Sequence, residues 1–231
     1  MTGITGLEER ARMTTLVLES TSTEATESLG DLLRRLGDIS PDRVRMHPAP
    51  GTATEADVIA IEGKENRLFE LVDGVLVEKG MGFRESILAV AVSRAIGNWA
   101  APQKLGIVTG ADGMMKLFGR QVRIPDVAYA SWDRFPGRRV PKEPIPLLAP
   151  DLVVEVLSES NTKKEMAKKR DEYFSVGVRL VWEVDPEART VAVYTGPEAY
   201  TVLDAERILD GGTVLPGFTL SLRELFAELD G

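Results

Sequence analysis

Two apolar stretches each carry an acid where a hydrophobic side chain is expected. In "PDLVVEVLSES", Pro150 to Ser160, the acid is Glu155, and in "RIPDVAYAS", Arg123 to Ser131, it is Asp126. A buried carboxylate is costly unless it is paired, hydrogen-bonded or bound to a metal. The two stretches lie close in chain order with one loop between them, so as neighbouring strands they would bring both acids to one point. Converging carboxylates repel, and one must take up a proton unless a cation sits between them. A divalent ion removes that conflict and can polarise a phosphoryl oxygen or activate a water. Two acids alone also admit a plainer reading, in which Asp126 caps a strand end beside Pro125 and Glu155 pairs with a nearby arginine.

The helix that follows narrows the choice. Met166, Lys169, Tyr173 and Val176 share one face by their spacing, and Lys169 stands among core-type residues. Lys163, Lys164 and Lys168 have the usual solvated explanation. Lys169 has it less easily, although a snorkelling lysine would also fit. An apolar residue of similar volume should suit that stripe, so Lys169→Met is expected to stay within roughly 1.5 kcal/mol of wild type with Mg²⁺ bound. Two further acids are candidates. Glu85 opens a long amphipathic helix, where acids are favoured in any case, and Glu70 interrupts the apolar run "LFELVDG".

Composition limits the chemistry. The 231 residues include no cysteine and a single histidine, His47, in the Pro-rich segment "MHPAPG". Thiolate zinc sites and cysteine nucleophiles are excluded, and His47 reads as a loop residue. Any metal must be held by oxygen, which favours hard ions such as Mg²⁺ or Mn²⁺. The formal net charge of −8 argues against nucleic-acid binding through a globally basic surface. Neither a signal pattern nor a membrane-length apolar run occurs, so the expected location is the cytoplasm.

The elements that must position these residues can be read in order. Residues 1–22 are expected to form a loose arm, and 23–66 a helical extension whose first helix ends at Gly37. Asp73-Gly74 between two apolar runs signals a hairpin. A long helix should run from Phe83 to Ala100 and stop at Pro102. Short strands at 106–109 and 114–117 lead to the strand with Asp126. A basic, Pro-rich loop, the Glu155 strand, a helix over 162–176, two strands and a closing strand and helix complete a domain over 67–231. The order predicts an α/β (α+β) fold, a mixed sheet with a helix on each face.

Segments throughout the chain resemble one family. "LFELVDGVLVEKGMG", "GNW", "VRIPDVAY", "LAPDLVVEVLS", "KKRDEYFSVGVRLVWEVDPEARTVAVY" and "LDGGTVLPGFTLSLRELF" occur in the order found in the Uma2 family of restriction-endonuclease-like proteins. The resemblance runs from about Leu29 to Phe226 and implies the PD-(D/E)XK nuclease fold. Pro125-Asp126 matches the first acid of that motif and Glu155 the second. The triplet's lysine is replaced, since the sequence reads Glu155-Val156-Leu157. Family members often carry that lysine on the next helix, four residues before a tyrosine, which is Lys169 ahead of Tyr173. Where many members have a histidine at the start of the long helix, this chain has Glu85.

The resemblance implies metal-dependent hydrolysis of DNA phosphodiester bonds. Asp126, Glu155 and the Val156 carbonyl would hold Mg²⁺ or Mn²⁺, Lys169 would orient the attacking water, and Glu85 with Glu70 would serve a second ion or its water. Arg134, Arg138, Arg139 and Lys142 in the basic loop, with Lys163 and Lys164, are expected to grip phosphates. A homodimer is a further expectation of the resemblance. Two other functions stay open: a non-cleaving binding or assembly protein on the nuclease fold, and a metal-dependent hydrolase of another phosphate ester.

Overall fold

The computed structural model describes residues 28–80 and 82–230, so the expected arm at 1–22 lies outside the described residues. Helix α1 (Leu29–Arg35) starts at a capping box made by Ser28 and Asp31. A two-residue strand β1 (Val44–Arg45) follows, and then α2 (Glu55–Glu65), whose box pairs Thr54 with Asp57. The expected hairpin is β2 (Phe69–Val72) and β3 (Val75–Glu78). Its two turn residues, Asp73 and Gly74, have φ of 51° and 79°, the left-handed pair that matches the twist of the flanking strands.

Helix α3 (Phe83–Gln103) is three residues longer than expected. Pro102 does not stop it but sits inside the last turn, where its missing N–H removes only one bond. Lys104 in the left-handed conformation ends the helix instead. Strands β4 (Gly106–Thr109), β5 (Met115–Phe118), β6 (Gln121–Arg123) and β7 (Val127–Ser131) come next. After the basic loop come β8 (Leu152–Val156), α4 (Lys163–Ser175), β9 (Leu180–Asp185) and β10 (Thr190–Tyr194). The chain closes with β11 (Tyr200–Asp204), β12 (Ile208–Gly211), β13 (Leu215–Ser221) and α5 (Leu222–Ala227).

The strands form two main sheets. One has five strands in the order β1-β3-β2-β6-β5, and the other six in the order β11-β10-β9-β8-β7-β4. Within the larger sheet β8 and β9 are parallel, joined across one face by α4, and the other pairings are antiparallel. Leu88, Val92 and Ile96 of α3 pack on Val127, Val154 and Trp182, while Tyr173 of α4 packs on Val153 and Val181 from the opposite side. The mixed sheet therefore carries a helix on each face, as the element order implies.

The smaller sheet is covered by α1 and α2, through Leu32 and Leu36 against Val75 and Val77 and through Val58 and Ile61 against Phe69 and Leu71. Ile124-Pro125-Asp126 carries the chain from β6 in that sheet to β7 in the larger one. Among the described residues no helix is long and apolar enough to cross a membrane.

Candidate active site

Strand register explains why the acids meet. Val127 of β7 pairs with Val154 of β8, so one step further sets Asp126 opposite Glu155. Both side chains then rise on the α4 face of the sheet, because alternate residues point the same way. In the other sheet Leu71 pairs with Val122, which sets Glu70 opposite Arg123 by the same step. The crossing at Pro125 brings these two cross-strand pairs together beneath α4.

Lys169 is the hub. Its ammonium lies 3.2 Å from Glu70 Oε1 and 3.3 Å from Glu155 Oε1. Only 4% of the residue is exposed, so it is enclosed and does not snorkel. Tyr173, one turn along the helix, donates its O–H to Glu155 Oε1 at 2.6 Å. Glu70 has both oxygens engaged: Arg123 donates to Oε2 at 2.7 Å, and the Ile124 N–H to Oε1 at 3.2 Å. Arg123 also donates to Glu172 of α4 at 2.7 Å.

Asp126 is held differently. Its Oδ2 accepts the Val156 N–H at 2.7 Å, and its Oδ1 pairs with Lys79 at 2.7 Å. Lys79 also donates to the Ile124 carbonyl. Asp126 borders a recess of about 300 Å³ beside Ser86 and Ser93 of α3.

Burial sets the protonation states. It pushes the Glu155 carboxyl up, with the neighbouring Asp126 charge adding to the rise and Lys169 opposing it. Burial acts the same way on Glu70, yet Lys169, Arg123 and Lys79 together hold it well below the usual carboxylate range. For Lys169 burial disfavours the ammonium, but Glu155 and Glu70 more than compensate, and its pKa is raised. Tyr173 is pushed well above its ordinary value by burial and then by the two glutamates. At neutral pH Lys169 is therefore a fixed cation and Tyr173 a fixed donor.

The start of α4 is tied to the segment before β1. Thr162 caps α4 by accepting the Glu165 N–H, and it donates its hydroxyl to the Gly37 carbonyl. Arg43 grips the buried Glu165 with two bonds, 2.9 and 2.8 Å long. Gly37 has φ of 95°, and a Cβ there would fall 2.6 Å from the Glu165 backbone. The helix bearing Lys169 is thus clamped by the segment between α1 and β1.

Asp126, Glu155, Val156, Lys169 and Glu70 are brought together, and the remaining sequence candidates are not. Glu85 is half-buried in the first turn of α3 and folds back over Gly82, where an added Cβ would lie 2.2 Å from Glu85 Oε2. It lines a neighbouring groove of about 950 Å³ that also contains Lys163, Ser158 and Arg170. Arg134 is tied to Asp151 at 2.9 Å and to the Gly177 carbonyl, and Lys164 to Asp38 at 2.6 Å. Arg138 donates to the Lys104 carbonyl at the far end of α3. Arg139 and Lys142 are exposed in the same loop. That loop leaves β7 at Ser131, about 16 Å from Asp126 at ~3.3 Å per residue.

Sequence reasoning missed Lys79, Arg123 and Glu172, and took Tyr173 as core only. Lys79 had a signal, because it continues the Val75–Val77 alternation onto the same face. Arg123 and Glu172 had none, since their partnership depends on a register and a crossing that only the fold supplies. The mild effect of replacing Lys169 by Met, expected with Mg²⁺ bound, does not extend to the metal-free protein. With buried acids on two sides, the change breaks ion pairs and is no volume-conserving swap.

One carboxylate just before β7 and another on β8, with a lysine over the second, match the arrangement that the family resemblance implies. A solved structure from Anabaena variabilis ATCC 29413, described as a "putative nuclease belonging to DUF820", shares 24% identity. It matches at a TM-score of 0.63 over 70% of this chain and 91% of its own. The family model for Uma2, described as "Putative restriction endonuclease", matches residues 56–223, and the chain belongs to that family. No curated protein matches.

Restriction-endonuclease-like nucleases generally use a divalent ion, for which Asp126 and Glu155 offer oxygen donors of the suitable kind. Among the described residues no three acidic or imidazole side chains gather as a ready cage. Mg²⁺, however, is commonly bound by one or two carboxylates with waters and substrate oxygens completing the shell. Asp126 and Glu155 supply hard oxygen donors just before β7 and on β8. Lys79 occupies one of those oxygens with its own charge, and an ion would take over that role.

Proposed function

We propose that this protein is a Mg²⁺- or Mn²⁺-dependent endonuclease that hydrolyses DNA phosphodiester bonds at the Asp126–Glu155–Lys169 centre, in the cytoplasm. The observation that carries this reading is the cross-strand placement of Asp126 and Glu155 with the buried Lys169 ammonium on Glu155. Asp126, Glu155 and the Val156 carbonyl would hold the ion. When bound, such an ion supplies Lewis-acid polarisation of a phosphoryl oxygen and eases deprotonation of water.

The chain's own residues do the rest. Lys169 stays protonated, so it serves as a donor that orients the nucleophilic water and offsets negative charge growing on the phosphoryl oxygens. Tyr173 fixes the Glu155 carboxylate through its hydrogen bond. Glu70, bound to Arg123, the Ile124 N–H and Lys169, would hold Lys169 in place. Glu85 lines the adjoining groove and lies outside this centre. Arg138, Arg139 and Lys142 would contact phosphates of flanking duplex, and two copies of the chain would be needed to cut both strands at once.

A second reading has one observation in its favour. Lys79 and Lys169 already neutralise Asp126 and Glu155, which is what a non-cleaving nuclease-fold binding protein would need. Thermal melts with added Mg²⁺ or Mn²⁺ separate the two. The endonuclease should melt higher with metal, and Asp126→Ala and Glu155→Ala should each remove the rise. A melting temperature indifferent to both ions would favour the binding protein. Assays on mononucleotides and other phosphate esters separate DNA cleavage from a broader esterase.

A further inference from the structure

The groove beside the active site ends in an aromatic stack that the catalytic reading does not use. Tyr194 of β10 and Tyr200 of β11 are register partners, so both point to the α4 face of the larger sheet. Their rings stack with centroids 4.8 Å apart and planes 28° apart. The Arg170 guanidinium lies 4.3 Å from the Tyr194 centroid. Arg170 and Tyr200 thus both lie against the Tyr194 ring. Tyr194 is nearly buried, whereas Tyr200 is 56% exposed. Strand β11 is the edge of the sheet, and the stack therefore runs from α4 outward to an uncovered phenol ring.

This stack and the active site share a floor and a helix. Arg170 follows Lys169 directly on α4, and its partner Glu183, at 2.6 Å, is the register partner of Glu155. Both tyrosines line the groove together with Leu157 and Ser158, which continue the Glu155 strand. From β8 to β11 is three strand spacings, about 14 Å, or a few nucleotides of an extended strand.

We infer that the groove takes an unpaired stretch of the nucleic-acid strand, with a base stacked on the outer face of Tyr200. This rests on the endonuclease reading and narrows its substrate to DNA with single-stranded character beside the cut. A base inside a duplex already has both faces stacked and has none to offer; an unpaired base gains from an aromatic platform whatever its sequence. Charge in the groove agrees. Glu183 is matched by Arg170 and Glu187 by Arg84, while Glu85, Glu159 and Asp185 outnumber Lys163. Such a surface disfavours the dense phosphates of a duplex, and binding there must draw on stacking more than on ion release.

The test is binding of a labelled oligothymidylate and of a hairpin duplex to the full protein without metal, followed by cleavage of both with Mn²⁺. Wild type should prefer the single strand, with a shallow dependence of affinity on salt. Tyr200→Ala should weaken single-strand binding about tenfold, the scale of one lost stacked base, and Tyr200→Phe should restore it. Thr201→Ala, pointing to the opposite face of the same strand, should bind as wild type. If Tyr200→Ala binds the oligothymidylate as tightly as wild type, or if the duplex is preferred, the stacking inference is overturned while DNA cleavage leaves the endonuclease reading standing. If wild type neither binds nor cuts either DNA, both are overturned.

Discussion

Replacing Lys169 by Met removes the cation in direct contact with both Glu70 and Glu155. At separations of 3.2 and 3.3 Å, each attraction is gross about 5 kcal/mol at an effective dielectric near 20. Desolvation of the buried ammonium offsets much of that sum. Removing one partner of a buried pair typically costs about 3–5 kcal/mol net, because an uncompensated charge stays behind. Glu70 keeps Arg123, so the unmatched charge falls on Glu155, which faces Asp126. Glu155 can escape by taking up a proton, and its carboxyl is already pushed up by burial and by Asp126.

Losing Lys169 raises that folded-state pKa further. A carboxyl raised above its unfolded value leaves the variant most stable in acid, and stability is lost as pH rises through the folded pKa. The gap from wild type should therefore widen between pH 5 and pH 7.5, by at most about 1.4 kcal/mol per pH unit. Urea denaturation of both proteins in EDTA at the two pH values measures it. A loss under about 1 kcal/mol at pH 7.5, or a gap that does not change with pH, would refute the placement of Lys169 as the counter-charge of Glu155.

Other regions give further expectations. Arg43→Ala leaves Glu165 buried at the start of α4 without its bidentate partner, and should cost about 3–5 kcal/mol in denaturant titration; a loss within 0.5 kcal/mol, the ordinary scatter of surface substitutions, would show that the clamp is idle. Because a proton competes with metal for the raised Glu155 carboxyl, the melting-temperature rise with Mg²⁺ should be larger at pH 7.5 than at pH 5. A rise equal at both would remove Glu155 from the metal's ligands. Arg139→Ala should lower the slope of log affinity against log salt by about one on long DNA and leave a short oligonucleotide unaffected, since the loop leaves β7 at the end away from Asp126. An unchanged slope would take Arg139 off the DNA.

Local pattern revealed the parts of the site that depend on single elements. Glu155 stood out because it breaks an apolar strand, and Lys169 because helical spacing fixes its face. Asp126 stood out because it breaks an apolar run, although that run is split into β6 and β7 with Asp126 in the link. The hairpin at Asp73-Gly74, the long helix and the covering of both sheet faces were legible for the same reason. Interactions between distant elements were hidden. Arg123 reaches Glu70 through register in one sheet and Glu172 through the packing of α4, and neither relation leaves a trace in local sequence. Strands β1, β11 and β12 were also missed. Tyr200 and Val202 are exposed, so β11 lacks the inward apolar alternation that marks a strand, while β12 spans only four residues and β1 only two. Pro102 was misread because a helix tolerates proline where a single bond is lost.

The central claim is that Asp126 and Glu155 form a metal-dependent centre for cutting DNA. The most direct measurement is the conversion of supercoiled plasmid and of single-stranded circular DNA by pure protein with Mg²⁺, with Mn²⁺ and with EDTA. Asp126→Asn and Glu155→Gln, which keep shape and remove charge, serve beside wild type. Wild type should cut with either metal and not with EDTA, and both variants should lose at least about a hundredfold in rate, the scale of removing one well-placed electrostatic group. Cutting that persists in EDTA, or that survives in both variants, would contradict the account.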